Sequence, residues 1–341
     1  MKIRSRFLLL LVVAVPLFTT CKGDLYHVNI SGIKAEVRIN RLEMDLFSTD
    51  PGDLYNNINT LRGKYGKFLQ LFSYVINIGE ISDSSWSNGL FLFATDKLNY
   101  EVYQNMLSVF PDLTWLETGM TEAFRHYLYY FPDKPVPGVF TCITGFNNSI
   151  ITLKDSVLAI GLDRYLGSDC KYYPMLGMYT YQTARMIPDH ILPDAMYGWA
   201  SSEWDFSDMG YTTENVLADM IHEGKLMYFV KCMLPDEKDE LIFGFSEAQM
   251  NFCRNNEDQM WQYLIENNLL FNTDQLTRRK LTGDAPFTTY FTNESPGRAA
   301  VWMGFRIIES CMKSNRDVRL ADIMGETDLQ MILEKARYNP K

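Results

Sequence analysis

The sequence has 341 residues, 47% hydrophobic and 14% aromatic, with a formal net charge of −10. That much apolar and aromatic material can bury a substantial core, which argues against an intrinsically disordered chain. The acidic balance, with no basic cluster to offset it, argues against nucleic acid and anionic lipid headgroups as partners.

The chain opens on Lys2, Arg4 and Arg6, followed by an uncharged apolar run from Phe7 to Phe18. A run of about a dozen residues is too short to span a bilayer, which takes roughly 20. A basic stretch followed by a short apolar one reads instead as a secretory signal. It runs into Leu17-Phe18-Thr19-Thr20-Cys21, where an apolar pair, two small residues and a cysteine resemble the lipobox of bacterial lipoproteins. Phe18 and Thr20 depart from the residues usual at those places. The resemblance implies cleavage before Cys21 and lipidation of its thiol, with residues 1–20 as signal peptide and 21–341 as a single domain. No later stretch reaches 18 uninterrupted apolar residues, so the lipid is expected to be the membrane attachment.

Residues 21–50 read as an extended N-terminal segment, with alternation at His27-Val28-Asn29-Ile30 and Ala35-Glu36-Val37-Arg38-Ile39 that suits a half-buried strand. Leu54, Ile58, Leu61, Tyr65, Phe68 and Leu69 keep helical spacing and predict a helix over 53–78. Thr95 is placed to cap a helix reaching Ser108, and another is expected over 119–131, before Pro132. Then the pattern changes. Val139 to Ile143, Ser149 to Leu153 and Ser156 to Ile160 read as three strands, closed by the loop Gly161 to Gly167.

Beyond about residue 170 helices return. Pro188 and Pro193 delimit a short piece at 194–203, and Thr212 or Thr213 can cap a long helix through Met233. Ser246-Glu247-Ala248-Gln249 is a capping box opening a helix to about Asn267. Pro296, after Ser295, predicts the start of a helix to Lys313, and two short helices at 320–324 and 328–336 finish the chain. The expected class is α+β, predominantly helical, with a small central β-sheet.

The most chemically suggestive segment is His222-Glu223-Gly224-Lys225-Leu226 on the long helix. Zinc peptidases of the His-Glu-x-x-His type grip the metal with histidines four apart and use the Glu to activate water. Leu226 stands where the second histidine is needed, so the motif is broken. His27, His126 and His190 stand apart in the sequence, and Pro193 between His190 and Asp194 argues against a shared helical face. There is no Gly-x-Ser-x-Gly elbow, no glycine-rich phosphate loop and no EF-hand spacing. Neither a catalytic residue nor a metal or other cofactor is expected. Five cysteines besides Cys21 contain no CxxC pair and leave disulfide pairing open.

Four segments, in order along the chain, together resemble the gliding-motility-associated lipoprotein B (GldB) family of Bacteroidota. They are Arg41 to Phe47, Ile160 to Gly167 with Tyr172-Tyr173-Pro174, Met220 to Phe229 with Met233-Leu234-Pro235, and Gly297 to Ile308 with Ile332 to Tyr338. The resemblance implies a lipid-anchored envelope protein, linked in gliding species to the motility and secretion machinery. Its expected place is the periplasm-facing outer membrane, held by palmitate-type acyl chains at Cys21, with unidentified envelope proteins as partners. It also implies a degenerate gluzincin-like metallopeptidase fold, with His222 and Glu223 as vestigial metal-site positions. Asp155-Ser156-Val157 resembles the O-glycosylation site of that phylum, with Ser156 as the acceptor. A cryptic zinc-dependent hydrolase and a solute-binding lipoprotein are the alternatives.

Overall fold

The computed structural model describes residues 25–341; Cys21 and the signal segment lie outside the described residues. The chain enters as irregular backbone across the surface. It joins the sheet as a short strand, β1 (Ile39–Arg41), and turns straight into α1 (Leu42–Phe47). The alternation at 27–39 therefore yields much less strand than expected. Side chains account for this: Val37 N–H donates to Thr121 Oγ1 at 3.0 Å and Ile39 N–H to Glu117 Oε1 at 2.9 Å. These two N–H groups are held by α5 instead of a further strand.

Four helices follow: α2 (Leu54–Val75), α3 (Trp86–Thr95), α4 (Lys97–Val109) and α5 (Thr114–Tyr130). The periodic apolar face of α2 is buried as its spacing predicts, although Gly66 breaks the helical backbone at φ +49°. Asp96, not Thr95, caps α4 by accepting from Asn99 N–H at 3.0 Å. The three strands of the middle segment are β2 (Gly138–Cys142), β3 (Ile150–Leu153) and β4 (Val157–Gly161). Sheet order is β1-β2-β4-β3. β1 and β4 both run parallel to β2, while β3 returns antiparallel on β4. β4 is buried along its whole length, matching its uninterrupted apolar sequence.

The second half is helical: α6 (Tyr172–Met175), α7 (Thr180–Thr183), α8 (Ile191–Glu203), α9 (Val216–Met233), α10 (Asp239–Phe243), α11 (Glu247–Asn255), α12 (Glu257–Glu266), α13 (Gln275–Thr282), α14 (Ala299–Ser314), α15 (Leu320–Gly325) and α16 (Leu329–Ala336). Pro193 falls inside α8, not before it. It occupies the first turn, where a missing N–H costs no hydrogen bond. Asn215 caps α9 through Ala218 N–H at 2.9 Å, in place of Thr212 or Thr213. The Ser246 capping box forms as read, but the helix it opens breaks at Asn256 into α11 and α12. Pro296 does not start α14; Arg298 stands at its N-cap, in the left-handed region at φ +59°.

The long helix α9 organises this half. It is buried on nearly every side, by α5, α8, α10, α13, α14, α15 and α16. Helices that are apolar all round belong in a core, which explains the weak amphipathic pattern of 216–233. Its closest neighbour is α14, and the two backbones meet at Gly224 and Gly304. A Cβ on Gly304 would lie 1.7 Å from Met220 O, and one on Gly224 would lie 2.2 Å from the Gly304 carbonyl carbon. Among the described residues no helix is long and apolar enough to cross a membrane.

Candidate functional site: an arginine-lined cleft beside the central helix

One turn of α9 carries His222, Glu223 and Lys225, and each is held by a different neighbour. Glu223 accepts a hydrogen bond from Tyr197 Oη of α8 at 2.8 Å. Burial raises its carboxyl above the usual range, with the Tyr197 bond and the charge of Arg298 pulling the other way. His222 Nδ1 meets Tyr211 Oη at 3.3 Å, and its ring stands edge-on to Phe206, with centroids 5.0 Å apart. Burial lowers its pKa to about 4, with Lys225 contributing in the same direction, so the ring is neutral at physiological pH.

Lys225, only 1% exposed, reaches the C-terminal end of α15. Its Nζ donates to Glu326 O at 2.7 Å and to Met324 O at 3.4 Å, satisfying carbonyls that the end of a helix leaves unpaired. Burial lowers its pKa to about 8.

The remaining histidines lie elsewhere. His126 Nδ1 faces Glu122 O at 3.1 Å on α5, and His27 meets Asp236 at 2.9 Å on the surface. His190 is buried just ahead of α8, and its Nδ1 has no hydrogen-bond partner. Among the described residues no group of three or more His, Cys, Asp or Glu is placed to hold a metal ion. Cys142, Cys170, Cys232, Cys253 and Cys311 are all free and buried. Ser156 sits in the β3–β4 turn, half-buried, beside Asp155 at φ +59°.

A cavity of about 610 Å³ opens on the far side of Glu223's partner Tyr197. Its walls come from β3, the loop after β4, the segment around α7, α8, and the loop that leads into α14. A second cavity of about 240 Å³ adjoins it, and the two share Tyr181, Arg185, Asp284 and Arg298. Arg185 lies over Gly244, whose φ of +65° ends α10. A Cβ there would come within 2.3 Å of Arg185 Nε, so glycine makes room for the guanidinium as well as for the turn. Arg298 is held in its left-handed conformation at a cost of about 1 kcal/mol. Its Nη2 donates to Phe243 O at 3.3 Å.

The carboxylates around these arginines are loosely engaged. Arg185 Nη2 reaches Asp194 Oδ1 at 3.4 Å, while Asp194 Oδ2 accepts from Tyr165 Oη at 2.9 Å. Asp284 Oδ1 stands 3.7 Å from Arg185 Nη1 and 3.6 Å from Arg298 Nε, and its side chain is 64% exposed. Both distances exceed those of good charge-assisted hydrogen bonds, about 2.7–2.9 Å.

The family model described as gliding motility protein GldB matches residues 24–340. The chain belongs to that family. Of the four segments that carry the resemblance, three border the features just described: Ile160 to Gly167 brings Arg164 and Tyr165 to the cleft, Met220 to Phe229 forms the core of α9, and Gly297 to Ile308 brings Arg298 and the Gly304 crossing. No curated protein and no solved structure matches the chain. The likeness to a zinc peptidase therefore stays an expectation of the sequence; the family membership and the helical α+β class do not depend on it.

Sequence reasoning singled out His222 and Glu223 and did not assemble the cleft. Glu223 touches its wall through Tyr197, whereas His222 is turned into an aromatic packet with Phe206 and Tyr211. Arg185, Asp194, Asp284 and Arg298 are spread over more than a hundred residues and lie in or next to loops and short helices. The nearest thing to a signal is a glycine beside an arginine at 297–298, just before a buried helix.

Proposed function

We propose that the chain is a non-catalytic, lipid-anchored GldB-family protein of the cell envelope that acts through contacts with other envelope proteins. Gliding motility or its associated secretion machinery is the process in species that glide. Anchoring is by acyl chains on Cys21, most simply on the periplasmic face of the outer membrane. The observation that supports the non-catalytic reading is the separation of His222 from Glu223. Although adjacent in sequence, one packs against Phe206 and Tyr211 and the other is bonded to Tyr197. A general base and its metal or substrate would need them, or a third group, to converge on one point.

The test is crosslinking and affinity isolation of the tagged lipoprotein from its native envelope, alongside Cys21→Ser. The reading expects defined envelope partners, and simultaneous loss of membrane retention and of function in Cys21→Ser. A fully functional soluble Cys21→Ser protein would refute the role of the anchor. Chelator-sensitive hydrolysis lost in Glu223→Ala would refute the non-catalytic reading.

The cleft favours a second reading alongside the first, in which the protein binds a solute or a segment of a partner. Cavities of about 300–1,000 Å³ with a few convergent polar groups are the usual form of such sites, and the larger one here is about 610 Å³.

A further inference from the structure

We infer that the cleft binds a ligand through a single carboxylate group, received between Arg185 and Arg298, where the exposed Asp284 now stands in for it. The inference rests on the binding reading of the cleft given above.

The two guanidiniums come from different parts of the fold, Arg185 from the segment after α7 and Arg298 from the N-cap of α14, yet both face the same acid oxygen. Each guanidinium carries five N–H donors in a fixed fork that matches a carboxylate. Few of those donors are used. Arg185 makes one hydrogen bond, to Asp194 at 3.4 Å, and its Nη1 stands 3.7 Å from Asp284 Oδ1. Arg298 makes one, to Phe243 O at 3.3 Å. A carboxylate entering at the junction of the two cavities would find both forks within reach.

The fold also commits structure to this placement. Gly244 gives up its side-chain space to Arg185, and Arg298 is held in a conformation that non-glycine residues rarely adopt. Strained backbone at a ligand-facing side chain is a recurrent mark of binding sites.

Asp284 behaves as a placeholder. It lies in the loop between α13 and α14, is mostly exposed, and sits beyond hydrogen-bond distance of both arginines. A ligand oxygen at about 2.8 Å from the same nitrogens would displace it outward. The surrounding charge selects among anions. Asp194, Asp205 and Asp284 all line the larger cavity, and Glu223 lies behind Tyr197. A dianionic phosphate would face that acidic wall at close range, whereas a monoanionic carboxylate needs only the two arginines. The same wall, with Tyr165 and Ser201, suits a ligand body bearing ammonium or hydroxyl groups.

The experiment is isothermal titration of the full-length lipoprotein in detergent with tetra-alanine, tetra-alanine amide, lactate and inorganic phosphate. Each is run against the wild type, Asp284→Asn, Arg185→Gln and Arg298→Lys. Binding is expected for tetra-alanine or lactate and not for the amide, with phosphate weaker than either. Tetra-alanine as the better probe identifies a peptide terminus, and lactate as the better probe a free small acid. Asp284→Asn should tighten the binding about threefold or more by removing the competing charge, and Arg185→Gln or Arg298→Lys should weaken it about tenfold. Arg298→Lys keeps the charge and loses the fork, and thermal melts establish that each variant is folded. Tetra-alanine amide binding as tightly as the acid, or tighter binding of phosphate, overturns the carboxylate assignment while leaving a binding cleft. Unchanged affinity in folded Arg185→Gln and Arg298→Lys places the ligand elsewhere and overturns it too. No binding by any probe to either the wild type or Asp284→Asn removes both the inference and the binding reading.

Discussion

Replacing Gly304 by alanine should be among the most damaging single-methyl changes in this protein. Helix propensity predicts the opposite sign, since alanine is better than glycine in a helix interior by about 1 kcal/mol. The geometry overrides it. The added Cβ would stand 1.7 Å from Met220 O and 2.5 Å from Met220 C, both backbone atoms of α9. Carbon–oxygen contacts settle near 3.3 Å, so the helices must part by about 1.5 Å at the crossing. The side chains that surround the crossing, among them Met220, Ile221, Met303 and Ile307, are fully buried and cannot follow without opening voids. Overpacking costs about 1–3 kcal/mol where side chains can yield, and more where they cannot. We expect a net loss of about 3–4 kcal/mol, a large share of the ~5–15 kcal/mol that stabilises a typical domain. Guanidinium unfolding followed by circular dichroism reads it as a lower midpoint at unchanged slope. Gly63→Ala supplies the control. That glycine lies on the exposed face of α2 with nothing within 4 Å of a built Cβ, and its substitution should stabilise by about 0.5–1 kcal/mol. Gly304→Ala within about 0.5 kcal/mol of wild type, or more stable, would refute the argument.

Further expectations follow from the same helix. Gly224→Ala should also destabilise, and the Gly224→Ala/Gly304→Ala double variant should lose less than the sum, because helices already parted accept the second methyl cheaply. Lys225 has a folded pKa of about 8 against a higher unfolded value, so between pH 8 and 10 the unfolded chain binds more protons and this residue's contribution to stability rises with pH. The difference in unfolding free energy between wild type and Lys225→Met, measured from pH 7.5 to 9.5, should follow that slope, and a flat difference would contradict it. His222, lowered to about 4, stays neutral while the unfolded chain protonates, so stability should fall by up to about 3 kcal/mol as pH drops from 6.5 to 4. His222→Gln should abolish that part of the acid sensitivity, and an imidazole that titrates near 6.5 by NMR would overturn the prediction. Tyr197→Phe removes the donor to Glu223 and should cost about 1–3 kcal/mol at neutral pH, with a double-mutant cycle against Glu223→Ala returning the coupling.

Elements with a repeating apolar period were legible in the sequence. The buried face of α2, the all-apolar β4 and the Ser246 capping box could each be read from local spacing, and each formed close to its predicted place. Local reading failed where a distant partner decided. Residues 35–39 alternate like a strand, yet the N–H groups of Val37 and Ile39 are claimed by Thr121 and Glu117 from α5, and only Ile39 joins the sheet. Leu42 to Phe47 is helical over only six residues, too few to show a period. Pro193 and Pro296 both read locally as marks of a helix start; one lies within a first turn that tolerates it, and the other precedes a helix whose N-cap is Arg298.

The candidate site was hidden for a related reason. Its chemistry depends on Arg185, Asp284 and Arg298 meeting, and no spacing along the chain announces that. The sequence draws attention instead to His222-Glu223, on the turn of α9 that meets α14. Gly224 follows directly and lets α14 press against α9, and Arg298 stands at the N-cap of that same α14. Glu223, fixed on α9 and bonded to Tyr197 at the cleft wall, is close enough to Arg298 to feel its charge. A single close helix crossing therefore sets both the core and the position of one arginine at the mouth of the cleft. A methyl group at Gly304 that leaves the protein folded should then also shift Arg298, and weaken carboxylate binding without touching any residue that lines the cavity.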